Sequence, residues 1–85
     1  MPTKTVVIGS AVGLHARPVA IISEAADELG SEVLIAIPGD EPVDASSTLL
    51  IMTLGAGPGA TVEVSGDVEA DVDAIVTLVE KDLDA

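Results

Sequence analysis

Cysteine, tryptophan, tyrosine and phenylalanine are all missing from this chain. Without cysteine there is neither a disulfide framework nor a thiolate metal site. Without aromatic rings no nucleic-acid base can be stacked against the protein, which removes the usual mode of single-strand binding. Positive charge is scarce as well. Three Lys and Arg stand against 15 Asp and Glu, a formal net charge of -12. That sign argues against a phosphate backbone or an anionic membrane as partner and favours solubility and partners with basic patches. The longest apolar run, LLIMTLGAG at 49–57, falls far short of the roughly 20 residues of a membrane span. The first residues lack a basic n-region, so no signal peptide is expected and the chain reads as cytoplasmic.

What remains is an aliphatic core of Val, Ile, Leu, Ala and Met in a chain of 85 residues. A domain of this size buries little more than about 60% of its unfolded surface, so its chemistry belongs near the surface. No repeat, linker or low-complexity tract divides the chain, and 1–85 is expected to form one domain.

The element types alternate. TKTVVIG, Thr3 to Gly9, is a β-branched run ended by glycine and predicts a strand. Val19, Ile22, Ala26 and Leu29 recur at spacings of three and four before Gly30, which predicts a helix from Ala16 to Leu29 with the glycine as its stop. EVLIAI, Glu32 to Ile37, reads as a central strand entering the PGDEP turn, and PVDA as a short returning edge strand. SSTLLIMTLG offers two serine N-caps and a glycine stop around a helix of about two turns. TVEVSG, Thr61 to Gly66, alternates as a half-buried strand does. Val68, Val72, Ile75, Val76, Val79 and Leu83 then share one helical face, with Asp67, Glu69, Asp71 and Asp73 near the start, where negative charge suits the helix dipole. The order is βαββαβα, an α+β chain whose strands form one sheet with helices on one face.

The single histidine, His15, stands in GLHARP, immediately before Ala16, Arg17 and Pro18. It can be a helix-flanking residue with no task. Its neighbours suit a different role. A helix start leaves backbone N–H groups unpaired and carries partial positive charge, so an anion held there is stabilised. Pro18 in the first turn removes an N–H that has no helical partner and helps set the helix direction. Arg17 adds a planar fork matched to phosphate oxygens. Imidazole, with an ordinary pKa of about 6.5, is a competent nucleophile, and a phosphoryl group on its ring nitrogen keeps a high transfer potential.

GLHARP followed by an apolar helix, then SSTLLIMTLG and a glycine-containing turn, resembles the HPr family of phosphocarriers in the phosphoenolpyruvate-dependent sugar phosphotransferase system. The resemblance spans essentially the whole chain. It implies an open-faced β-sandwich, a four-stranded antiparallel sheet in the order 1-4-2-3 with three helices on one face. It also implies that His15 accepts a phosphoryl group at Nδ1 from enzyme I and donates it to the IIA domain of a sugar permease. Arg17 and the backbone at Ala16 and Arg17 would hold the phosphate. Such a protein is a carrier without turnover of its own, needs no cofactor or metal, and works as a monomer. Two positions depart from the family pattern. Val12 stands where many members have a small polar residue. Ser47 falls at the serine that some members use for regulation by a kinase, but Ser46 precedes it where a Lys is usual.

Leu49, Leu50, Ile51, Met52 and Leu54 are too many apolar residues for one face of a two-turn helix, so some must point outward even if most are core. By resemblance, Leu49 and Met52 occupy outward, docking positions. GAGPG, 55–59, lacks the Lys-Ser/Thr ending of a phosphate loop and reads as a turn. The acidic residues of the last helix read as a solvated face rather than a metal site. Three functions stay open on sequence: a sugar-uptake phosphocarrier, a regulatory or nitrogen-linked paralogue that keeps His15, and a small ligand-binding or interaction module in which His15 is a cap.

Overall fold

A computed structural model describes residues 2–9 and 16–81. Its elements run β1 (Thr3–Val7), α1 (Ala16–Glu28), β2 (Val33–Ala36), β3 (Val43–Asp44), α2 (Thr48–Met52), β4 (Thr61–Gly66) and α3 (Glu69–Glu80). The four strands make one antiparallel sheet in the order β1-β4-β2-β3, and the helices cover one of its faces as an open-faced sandwich.

Alternation along the strands decides which face is covered. Val6 pairs with Val62, and Ile35 with Val64, on the helix side, where all four are buried. Thr5 pairs with Glu63, and Val7 with Thr61, on the open side. A slip of one residue would exchange these sets, so burial fixes the register. Val19 and Ile22 of α1, Ile51 of α2, and Val72, Ile75 and Val79 of α3 complete the core. No aromatic ring contributes to it, and β-branched side chains with restricted rotamers fill the space instead.

Two backbone features bring α3 against β1. Gly9 donates its N–H to the Val79 carbonyl at 3.0 Å, and a Cβ at Gly9 would overlap the Glu80 carbonyl. At the edge of the sheet the Lys4 ammonium bonds the Asp73 carboxylate, a hydrogen bond that raises the Lys4 pKa above its ordinary value.

Two local expectations change. Gly30 follows α1 but is not among the glycines with positive φ, and the helix ends instead with Leu29 donating to the Ala26 carbonyl at 3.2 Å. The chain bends at 29–31 without a left-handed residue, and the Ser31 hydroxyl donates to Asp71 of α3. Val68, expected on the buried face of the last helix, is 44% exposed. It is the N-cap of α3, in extended conformation, and its carbonyl accepts from Asp71 and Val72 while its side chain leaves the helix face. Leu83 lies outside the described residues.

The turn between β3 and α2 is organised by one carboxylate. Asp44 Oδ1 accepts from the Ser46 N–H at 2.9 Å and from the Ser46 hydroxyl at 2.7 Å. The backbone bond first, and the hydroxyl second, hold the Asp44 carboxyl below the usual carboxylate range. Ser47 then caps α2, its side chain accepting from Leu50 N–H. A carboxyl whose folded pKa is lowered contributes stability that is complete above the unfolded value and is lost as pH falls through the folded one. Asp44→Ala is therefore expected to lower the melting temperature at neutral pH. The gap from the parent protein should close as the pH is taken from about 5 to about 2, and a gap that stays constant over that range would show that the carboxylate charge contributes nothing.

Candidate functional site

The first turn of α1 differs in charge from that of α3. It contains no carboxylate, in a chain where the first turn of α3 carries Glu69 and Asp71. A carboxylate there would neutralise the positive end of the helix. Pro18 is fully buried and anchors this turn to the core. Arg17, beside it, is exposed and carries the one permanent positive charge of the helix. Ala16 is the first residue of α1. His15, together with Val12, falls at 10–15, outside the described residues, directly before this turn.

α2 lies alongside α1. Ser23, buried on α1, is within 2.8 Å of the Thr48 hydroxyl at the start of α2 and also donates to the Ala20 carbonyl at 3.2 Å. With one apolar side chain pointing inward, Ile51, this five-residue helix leaves the others outside. Leu49 is 74% exposed, Met52 44% and Leu50 41%. Leu50 is an exposed member of the patch that the sequence did not single out. A five-residue helix has too few turns to show a periodicity, so nothing separated Leu50 from Ile51. The helix stops where Thr53 donates its hydroxyl to the Leu50 carbonyl and Gly55 takes a φ of 65°, a left-handed turn that suits glycine.

The following loop, 55–60, is the turn expected from GAGPG, and it runs beside the chain leaving β1. Ile8 donates to the Ala60 carbonyl at 2.9 Å, Gly59 donates to the Ile8 carbonyl at 3.4 Å, and Ala56 is buried beneath. The strand end that leads into 10–15 is thus held between this loop and the last turn of α3.

A hollow of about 190 Å³ lies elsewhere, at the C-terminal end of α1, and is lined by Asp27, Ser31, Glu32, Asp44 and Ser46 among others. Its carboxylates repel anions, so it is no place for a phosphoryl group. Among the described residues no group of three or more His, Asp or Glu side chains is arranged to hold a metal ion, and no helix is long and apolar enough to cross a membrane.

Comparison with known proteins agrees with this geometry. The family model described as the PTS HPr component phosphorylation site matches residues 2–81. The phosphocarrier protein HPr of Streptomyces coelicolor is 41% identical over 69 residues, covering 81% of this chain and 74% of that protein. The HPr-like protein Crh of Halalkalibacterium halodurans is 31% identical over 85 residues, covering 96% of this chain and 100% of that protein. The crystal structure of HPr-C-His from Thermoanaerobacter tengcongensis superposes with a TM-score of 0.88 at 31% identity, covering 100% of this chain and 98% of that one. With this sheet order and these matches along its length, the chain belongs to the HPr phosphocarrier family of the phosphotransferase system.

Proposed function

We propose that this chain, acting as one domain over 1–85, carries phosphoryl groups from phosphorylated enzyme I to the IIA domains of sugar permeases through a transient phosphohistidine at His15. The observation that supports this reading most is the carboxylate-free, arginine-bearing first turn of α1 directly after the one histidine of the sequence. The Nδ1 lone pair forms the P–N bond as the bond from phosphorus to the donor's leaving atom breaks, and that electron pair departs with the leaving atom. The backbone N–H groups at Ala16 and Arg17 and the Arg17 guanidinium take up charge on the three equatorial oxygens, where positioning and electrostatics supply most of the catalysis. The P–N bond is then broken by the acceptor in the same manner. The protein works as a monomer in the cytoplasm and itself turns over no substrate.

A regulatory HPr-like role is the second reading, favoured by the match to Crh over that protein's full length. Ser47 is its candidate position. Its hydroxyl caps α2 next to the exposed patch, so a phosphoryl group there would add negative charge where a partner must approach. His15 within GLHARP places the carrier reading first.

Three outcomes test the carrier reading. Incubation with phosphoenolpyruvate and enzyme I should add one phosphoryl group that acid removes and alkali does not. His15→Ala should abolish this adduct with the fold intact by circular dichroism, and an adduct that persisted on the variant would overturn the reading. Arg17→Lys keeps the charge and loses the fork, and should slow transfer by at least about tenfold, or about 1.4 kcal/mol of barrier. Rates equal to the parent protein in both directions would remove Arg17 from the site.

Docking separates outward from inward residues of α2. Leu49→Glu should weaken association with enzyme I by more than about tenfold while changing stability by no more than about 0.5 kcal/mol. Ile51→Ala, at a fully buried position, should cost about 2–5 kcal/mol of stability. Parallel loss of fold and binding in Leu49→Glu, measured by calorimetry, would make Leu49 a core residue.

A further inference from the structure

The contact between α1 and α2 contains hydroxyls that packing does not call for. Among the described residues Ser23 is the one buried polar side chain, set among buried Val, Ile and Ala. Ala or Val would serve for packing there, since a buried hydroxyl costs stability unless its hydrogen bonds are made. Its single proton goes to the Ala20 carbonyl at 3.2 Å, so at the 2.8 Å contact the Thr48 hydroxyl donates and Ser23 accepts. The result is a directed chain from the first residue of α2 to the backbone of α1 at Ala20. Ala20 lies three residues after Arg17 and both are exposed, so they share one face of α1. The Thr48 hydroxyl is not needed to cap α2, because Ser47 does so by accepting from the Leu50 N–H.

We propose that Ser23 and Thr48 are positioning residues for phosphoryl transfer: their hydroxyl chain holds α2 in one orientation on α1, so that Leu49, Met52 and Arg17 reach a partner together. The inference rests on the carrier reading and adds to it two residues that act through others. Ile51 is the one side chain by which α2 enters the core. A single anchor fixes where a five-residue helix sits but leaves its rotation about that anchor open. A hydrogen bond is directional where an apolar contact is not, and so it can close that freedom. Without the chain, α2 samples orientations in which Leu49 and Met52 are out of step with Arg17, and only the competent fraction binds. The apparent affinity falls by that fraction, whereas the complex once formed is the same and transfers at the same rate. The two hydroxyls therefore act on KM and not on kcat.

Steady-state labelling with phosphoenolpyruvate and enzyme I from the same organism, the full chain being the varied substrate, separates these two quantities. Thr48→Val keeps the branched shape and removes the donor. It should raise KM for the carrier by about fivefold, as for an α2 that is competent about one-fifth of the time, and leave kcat within about twofold. Thr48→Ser, which keeps the hydroxyl on a smaller side chain, should hold KM at the parent value. Ser23→Ala should match Thr48→Val, and the double variant Ser23→Ala, Thr48→Val should be no worse than either single one, because the two hydroxyls form one unit. Melting curves establish that each variant is folded, and since Thr48 is exposed its two variants carry the test without Ser23→Ala. An unchanged KM in folded Thr48→Val, a KM raised equally in Thr48→Ser, or a loss confined to kcat would overturn this inference and leave the carrier reading standing. Losses that add in the double variant would make the two residues independent and overturn it as well. A parent protein that enzyme I does not label would remove the carrier reading and this inference together.

Discussion

The rest of the molecule depends on the one-sided burial of β4. It is an inner strand, paired with β1 on one side and β2 on the other, and Val62 and Val64 are fully buried beneath the helices. Because the core holds no aromatic ring, each of these side chains has to be matched closely by short aliphatic neighbours. There is no large flat surface that could tolerate an imprecise fit. The same strand shows Glu63 to the other side. Polarity on that side lets the sheet stay uncovered, so three helices suffice for a chain of this length.

The site reflects how little of the chain is available to build it. Once α1 and α3 are committed to covering the sheet, the remaining helix is five residues long and can seat one side chain, Ile51. Its neighbours are exposed by geometry rather than by composition, and the Ser23 and Thr48 hydroxyls fix the direction in which they face. At the same time the described residues that flank 10–15 are held by their neighbours. Ile8 and Gly9 are held by the 55–60 loop and the end of α3, and Pro18 is locked into the core.

Periodicity was most informative where an element was long or half-buried. The alternation of Thr61 to Gly66 gave β4 with its observed bounds, and the three-and-four spacing from Val19 to Ala26 gave the body of α1. The strand order was not in the pattern at all, since pairing joins residues far apart, and it came through the family resemblance. Signals failed where a residue's role depends on its neighbours in space rather than in sequence. Gly30 looked like a left-handed helix stop, but the chain bends there without positive φ. Val68 fits an apolar stripe yet serves as an N-cap, and no hydroxyl or carboxamide marked that position. The Asp44 and Ser46 turn was equally invisible, because a carboxylate two residues before a serine is common in any loop. Of the site, the sequence showed the histidine motif and Arg17 plainly. The exposure of Leu50 required the packing of two helices to be known.

The placement of Lys4 has a consequence for how this sheet ends. β1 and β3 are its two borders, and each presents a row of peptide groups against which a foreign strand could pair. β3 is two residues long, too short to template such growth. β1 is longer, but on its helix side Lys4 projects a charged head to Asp73, so an incoming chain would have to approach past an ion pair rather than along a smooth apolar ridge. The sheet is in this way guarded against lateral extension by brevity on one flank and by a charge on the other.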